Sequence, residues 1–329
     1  MKIAFFELEG WEEEFLKERL QGHEVTFSKE RISQENVGTY HDVEAISVFL
    51  YSPITKEVIE QLPSLKIVAT RTTGFDHIDA QTCKEKGIAV YTVPFYGENT
   101  VAEHAFALLL ALMRKIPQAY EQTTKFNFSM RGLRGYDLKD KTFGVIGTGH
   151  IGQNAIHMAR GFRMNVLGYD PFPKEGLAEQ LGFTYVDFDT LLRESDIISL
   201  HVPHNEHTHH LINKDAIEKM KEGVIIINTA RGGVIDTLAL IQGLKSGKVG
   251  GAGLDVLEGE HEITEETEIV TKDYPLEKMK ELLEGHILIT FPNVIVTPHI
   301  AFNTKEALYR ILSTTVDNLH QKEGTFRVA

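Results

Sequence analysis

Three apolar runs in the second half of the chain each lead into polar groups suited to carbonyl chemistry. Val224–Asn228 (VIIIN) is followed by Thr229-Ala230-Arg231, Gly251–Asp255 (GAGLD) by a loop ending in Glu260, and Val294–Thr297 by Pro298-His299. Arginine offers a planar fork that grips a carboxylate and polarises a neighbouring carbonyl. Histidine exchanges a proton near neutral pH, and a glutamate close by favours the imidazolium and orients the ring. With a hydride source, this set would reduce a 2-keto acid. Singly, each residue has a plainer reading: Arg231 as a helix-start ion pair, Glu260 as a loop carboxylate, His299 as a satisfied loop histidine. Their joint placement at strand ends favours the chemical reading.

The hydride source is written upstream. Phe143-Gly-Val-Ile146 runs into Gly147-Thr-Gly149-His150-Ile151-Gly152, then a helical segment, then Met164–Asp170. This is G-x-G-x-x-G between a strand and a helix. Gly147 permits the tight turn, Gly149 admits a pyrophosphate to the backbone, and Gly152 lets helix and strand pack closely. The helix start supplies free N–H groups to phosphate. Asp170, eighteen residues beyond Gly152, can accept from an adenosine ribose and would repel a 2′-phosphate, so NAD is expected over NADP. His150, at the helix start, is read as a backbone contact to phosphate.

These groups need strands to position them. Lys2–Phe6, Ala45–Tyr51, Lys66–Thr70 and Ala89–Tyr91 form a first β-rich series. Phe143–Ile146, Asn165–Tyr169, Ile197–His201, Val224–Asn228, Gly251–Asp255 and Val294–Thr297 form a second. Helical patterns lie between most of them, which implies βα units around parallel sheets. In such sheets ligands bind beyond the carboxyl ends of the strands. Arg231, Asp255, Glu260 and His299 should therefore converge on the edge that carries Gly147–Gly152. One long apolar helix is expected from Thr100 to Tyr120, buried on several sides. Glu306–His320 reads as a helix of either series, and the acidic stretch Leu257–Gly285 as a solvated loop with a short helix.

Composition narrows the setting. The 34 basic and 47 acidic residues give a net charge of −13, against the basic footprint of a nucleic-acid binder. One cysteine, Cys83, excludes an internal disulfide and suits a reducing compartment. The N-terminus reads as a strand rather than a signal peptide, and no apolar run approaches the roughly 18 residues of a membrane span. A soluble cytoplasmic protein is expected.

Nearly the whole chain resembles the D-specific 2-hydroxyacid dehydrogenases, in detail their D-lactate dehydrogenase branch. The resemblance is carried by TRTTGFDHID (Thr70–Asp79), VPFYGENTVAEHA (Val93–Ala105), GTGHIG, SLHVPHNEHTHHLIN (Ser199–Asn213), INTARGGVID (Ile227–Asp236), GLDVLEGE (Gly253–Glu260) and TPHIAFNT (Thr297–Thr304). It implies two Rossmann-like α/β domains, the second inserted in the first. Residues 1–101 with 299–329 would be a flavodoxin-like substrate domain and 102–298 the NAD domain. It implies Arg231 as substrate anchor, Glu260 as partner of the histidine, and His299 as proton donor. It implies NAD contacts from His150, Ile151, Asp170, Val202, Pro203, Thr208, Thr229, Ala230, Arg231 and Asp255, with Asp255 on the nicotinamide amide. Thr73 and Gly74 match the loop whose N–H groups bind the substrate carboxylate. A homodimer gripping through the helix after Thr100 is implied as well.

His204, His207, His209 and His210 look like metal ligands, but the family uses no metal there. Phe49, Tyr51, Tyr96 and Phe302 are candidates for side-chain selection, and Phe302 favours a methyl-sized group such as that of pyruvate. Phe49 in place of a common Tyr, and Gly97-Glu98 in place of Ser-Pro, point instead to a larger apolar keto acid. Two further readings of the fold are an NAD-sensing protein like the corepressors built on it, and an enzyme for formate or phosphite.

Overall fold

The structure, a computed structural model, describes residues 1–259, 276–321 and 327–328, with 276–278 as backbone only. The chain forms two compact units: residues 1–96 with 304–329, and residues 97–303. Both are α/β with wholly parallel sheets.

In the first unit, β1 (Lys2–Phe5), β2 (Glu24–Phe27), β3 (Ala45–Val48), β4 (Ile67–Thr70) and β5 (Ala89–Tyr91) pair in the order β2-β1-β3-β4-β5. This is the flavodoxin-like order. β3 and β4 are mostly apolar and are buried along their length, as strands covered on both faces must be. β2 lies at the sheet edge with alternate residues exposed, and its four residues (EVTF) carry too little apolar signal to announce a strand. β3 stops at Val48, short of the expected Tyr51. The Glu7 carboxylate takes the backbone N–H groups of Phe49 (3.0 Å) and Tyr51 (2.7 Å), removing them from the ladder. The Lys305–Leu319 helix belongs to this unit. Thr304 caps it by accepting the Ala307 N–H, and Leu312, Val316 and Leu319 pack with Ile3, Phe5 and Tyr91.

In the second unit, β6 (Thr142–Ile146), β7 (Asn165–Tyr169), β8 (Thr184–Tyr185), β9 (Ile197–Leu200), β10 (Val224–Asn228), β11 (Val249–Leu254) and β12 (Val294–Val296) pair in the order β12-β11-β10-β9-β6-β7-β8. Read from β8, this is the doubly wound order, with its reversal between β6 and β9. β8 has two residues and was not foreseen. The single helix expected over Thr100–Tyr120 is two, Glu98–Met113 and Ile116–Thr124. Lys115 between them has φ +55°, and Pro117 in the first turn of the second helix has no N–H to extend the first. The first of the pair is core: Leu108 Cβ lies 2.9 Å from where a Cβ on Gly253 would stand, so that glycine lets the helix settle on β11. The second has no buried residue.

The units divide at 97 and 303 rather than at 102 and 298. The Glu98–Met113 helix is continuous, so 98–101 travel with it. Residues 299–301 are tied by their N–H groups to Asp255. Among the described residues no helix is long and apolar enough to cross a membrane.

Candidate active site

Register aligns the site. Tyr169, Ile146, Leu200, Asn228, Leu254 and Val296 form one row across β7, β6, β9, β10, β11 and β12. The residues that follow, Asp170, Gly147, His201, Thr229, Asp255 and Thr297, therefore leave the sheet at one level on its carboxyl edge. With about 4.8 Å between strands, Asp170 and Asp255 stand roughly 19 Å apart along it.

At β6 the glycines are required by space. Gly147 has φ +93°, and a Cβ there would overlap the His201 carbonyl. A Cβ on Gly152 would overlap the carbonyl of Gly147. Around Gly149 nothing lies within 4 Å of a Cβ position, so the backbone is open to a ligand at the start of the His150–Gly161 helix. Asp170 follows β7 and clamps this turn: one oxygen accepts the Thr148 N–H (2.8 Å) and hydroxyl (3.0 Å), the other the Phe172 N–H (2.9 Å). The oxygen that takes only the Phe172 N–H has a lone pair left for a ribose hydroxyl. The His150 ring lies 3.3 Å from Glu98, while Ile151 is half-buried behind it.

Beyond β9, Val202 is half-buried and Pro203 exposed. The Thr208 hydroxyl donates to the Pro203 carbonyl at 2.6 Å and closes their loop. The His201 ring is enclosed, 2.9 Å from the Ser199 hydroxyl, and burial pushes its pKa down to about 4. It is neutral near pH 7 and cannot trade a proton there.

Beyond β10, the Asn228 side chain accepts the Ala230 N–H (3.0 Å) and donates to the Arg231 carbonyl (2.9 Å). This fixes the backbone that carries the half-buried Arg231 guanidinium, whose Nη1 donates to the Ala230 carbonyl at 2.7 Å. The Thr229 hydroxyl is buried and has no hydrogen-bond partner among the described residues, an orphan that a bound ligand would satisfy. A Cβ on Gly232 would overlap the Leu257 carbonyl, so the loops after β10 and β11 pass in contact.

Asp255 is 1% exposed. Its Oδ1 accepts the Thr297 hydroxyl (2.5 Å) and the Ile300 N–H (2.9 Å), and its Oδ2 the Ala301 N–H (2.7 Å). Since the Thr297 hydroxyl donates to the carboxylate, it accepts from His104 Nε2, 3.0 Å away, which also lies 3.3 Å from Asp255. Burial pushes the Asp255 pKa up, but these hydrogen bonds outweigh it and hold the carboxyl below its ordinary value. The carboxylate expected on the nicotinamide thus also braces the loop of His299. That residue has φ +53°, and its N–H donates to the carbonyls of Asp255 and Thr297, both at 2.9 Å. A non-glycine residue held in this region needs such surroundings.

His104 escaped the sequence reading. Its one signal was a histidine inside the apolar VAEHAFALLLAL. Glu260 lies outside the described residues. In the first unit, Phe49, Thr73 and Tyr96 follow β3, β4 and β5 on the carboxyl edge of that sheet. The Phe49 ring has the fully buried Arg71 guanidinium 5.2 Å from its centroid. Thr73 is exposed and donates to the Val93 carbonyl (3.0 Å), Gly74 accepts from the Thr72 hydroxyl (2.6 Å), and the Tyr96 carbonyl accepts from Arg310 (2.7 Å). Phe302, in the second unit, is buried.

The family model for the D-isomer specific 2-hydroxyacid dehydrogenase NAD-binding domain matches residues 106–301. The chain is 37% identical to the D-lactate dehydrogenase of Escherichia coli K12, over 98% of this chain and 97% of that one. It is 39% identical to an aromatic 2-oxoacid reductase of Clostridium sporogenes, over 92% and 89%. The crystal structure of D-lactate dehydrogenase from Aquifex aeolicus complexed with NAD and lactic acid superposes with a TM-score of 0.86 at 39% identity, covering 98% of each chain. The open backbone at Gly149, the orphaned Thr229 hydroxyl and the Asp170 carboxylate suit NAD in this fold, and the chain belongs to the D-isomer-specific 2-hydroxyacid dehydrogenases as an NAD-dependent enzyme of 2-keto and 2-hydroxy acids.

Proposed function

We propose that the chain reduces pyruvate to D-lactate, reversibly, with residues 97–303 holding NAD and the first unit serving the substrate. The observation that carries the reaction is the carboxyl edge on which Arg231 and the Asp255-braced His299 follow β10 and β12, the two strands that flank β11 in the glycine-turn sheet. Bound NADH supplies the hydride for the carbonyl carbon. The Arg231 fork grips the substrate carboxylate and polarises the carbonyl. His299 gives its proton to the carbonyl oxygen as charge develops there, and takes it back in the oxidative direction. The resemblance assigns Glu260 to hold that imidazole protonated, and the backbone of Thr73 and Gly74 to the carboxylate. Gly147, Gly149, His150, Ile151, Gly152, Val202, Pro203, Thr208, Thr229, Ala230 and Asp170 are the proposed NAD contacts.

Pyruvate is favoured by the similarity to D-lactate dehydrogenases and by the bulk of Phe302. A larger apolar keto acid is the second reading, favoured by Phe49 and by the similarity to an aromatic 2-oxoacid reductase. A panel of 2-keto acids differing only in side chain, assayed with NADH, decides between them. Pyruvate should show the highest kcat/KM. One extra methylene shifts discrimination by about 10- to 200-fold in an apolar pocket, so a maximum at phenylpyruvate or a branched acid would replace pyruvate outright. No turnover with any short 2-keto acid would overturn the reaction itself.

We also infer a homodimer in the cytoplasm. The buried free thiol of Cys83 suits a reducing compartment. The segment after the Glu98–Met113 helix presents Tyr120, Phe126, Phe128 and Met130, from 71% to 90% exposed, more apolar surface than one stretch of a monomer ordinarily leaves in water. Sedimentation should give twice the 37.1 kDa chain mass. Replacing Phe126 and Phe128 by Asp should shift it to the monomer, since losing a buried interface aromatic costs about 2 kcal/mol or more. A wild-type monomer at micromolar concentration would sink the inference.

A further inference from the structure

The loop that carries Pro203 and Thr208 ends in a group of imidazoles that the hydride chemistry does not use. His204 Nε2 lies 3.1 Å from His209 Nδ1. The rings of His209 and His210 are stacked, centroids 3.9 Å apart. His210 Nε2 lies 2.6 Å from Glu258 Oε1, and the other Glu258 oxygen accepts the Thr237 hydroxyl at 3.0 Å. One ligand atom from each of His209, His210 and Glu258 lies within 4.8 Å of the other two. The backbone is fitted to the cluster. His210 has φ +49° and donates its N–H to the Gly233 carbonyl (2.9 Å), while a Cβ on Gly233 would come within 2.8 Å of His204 Nε2.

Two imidazoles and a carboxylate form a donor set for a borderline divalent ion such as zinc; hard ions such as magnesium prefer all-oxygen shells. Donors about 2.1 Å from a tetrahedral ion stand roughly 3.4 Å from one another. His210 Nε2 and Glu258 Oε1 stand closer than that, at 2.6 Å, and part to admit an ion, while the exposed His209 ring turns off its stack on His210, pivoting about its contact with His204, to complete the set. Thr237 behind Glu258 and His204 behind His209 supply the hydrogen bonds that orient ligands in metal sites.

We propose that His209, His210 and Glu258 bind one zinc ion per chain, with water completing its shell. The ion takes no part in hydride or proton transfer. It ties the 203–210 loop to the segment after β11, bracing one wall of the proposed NAD site from outside.

The test is binding, independent of turnover. Tag-free protein stripped with a chelator is titrated with zinc by calorimetry and by competition with a chromogenic chelator. One zinc per chain should bind with a dissociation constant on the order of micromolar, and magnesium should not compete. His209→Asn and Glu258→Gln should each weaken binding at least about 10-fold. His207→Asn should leave it unchanged, because His207 shares the loop but lies outside the cluster, 3.6 Å from the exposed Glu206. Thermal melts in chelator report folding; should Glu258→Gln fail to fold, the exposed His209 variant decides. Absence of stoichiometric binding, or an equal loss in His207→Asn, overturns the proposal. Either result leaves the dehydrogenase reading untouched.

Discussion

Exchanging His299 for Gln should lower kcat by about 10²–10⁴-fold, the range for loss of a general acid–base, while substrate KM moves little. Glutamine fills much of the same space and can still hydrogen-bond, but it has no proton to give near neutral pH. Arg231→Gln should act differently. It removes a charge that grips the ground-state carboxylate as well as the polarised carbonyl, so KM should rise and kcat fall together, costing about 2–5 kcal/mol in kcat/KM. Steady-state kinetics on both variants, followed by nicotinamide absorbance, separates the roles. Wild-type kcat in His299→Gln would remove the residue from the chemistry. His201 is no substitute donor: enclosed beside Ser199, with its pKa near 4, it carries no proton to give.

Why could the sequence name His299 and Arg231 but not what holds them? The strands β3, β4, β9, β10 and β12 are dense in Val and Ile, and their apolar runs are visible without any partner. Parallel pairing then places every strand end on one edge, so residues just past each run are brought together by topology alone. Gly147 and Gly152 were legible because only glycine fits where another backbone passes. The misses share a different cause. β2 and β8 exist because a neighbour offers an edge, not because their own residues demand a strand. The end of β3 is set by Glu7, some 42 residues upstream of Phe49. The break at Lys115 is a backbone turn before Pro117 inside an otherwise apolar run. His104 meets Thr297 across 193 residues, a pairing that no local spacing encodes.

Asp255 shows what that hidden pairing is worth. Asp255→Ala should unfold the second unit about 3–5 kcal/mol more easily, since it leaves three buried donors without their acceptor at about 1–3 kcal/mol each. The loss has three parts: the Ile300 and Ala301 N–H groups lose their acceptor, the Thr297 hydroxyl loses the partner that orients it toward His104, and the His104 ring loses the carboxylate 3.3 Å from it. Asp255→Asn keeps the volume and one oxygen, but its amide N–H₂ must face a donor, so it should cost less than alanine and more than nothing. Calorimetric melting at neutral pH measures this, at roughly 2–4 °C per kcal/mol for a unit of this size. The pH dependence supplies a second check. A carboxyl whose folded pKa lies below its unfolded value stabilises above the unfolded pKa and loses that contribution as pH falls through the folded one. The Asp255 pKa is lowered from 3.8, so the gap between wild type and alanine should be full at neutral pH and narrow as the medium is acidified below about pH 4. A gap that stayed constant into strong acid would mean that packing, not the charge, holds the loop. Activity should fall with stability in both variants, because the φ +53° backbone of His299 is kept in place by the hydrogen bonds that Asp255 accepts on either side of its own N–H contact.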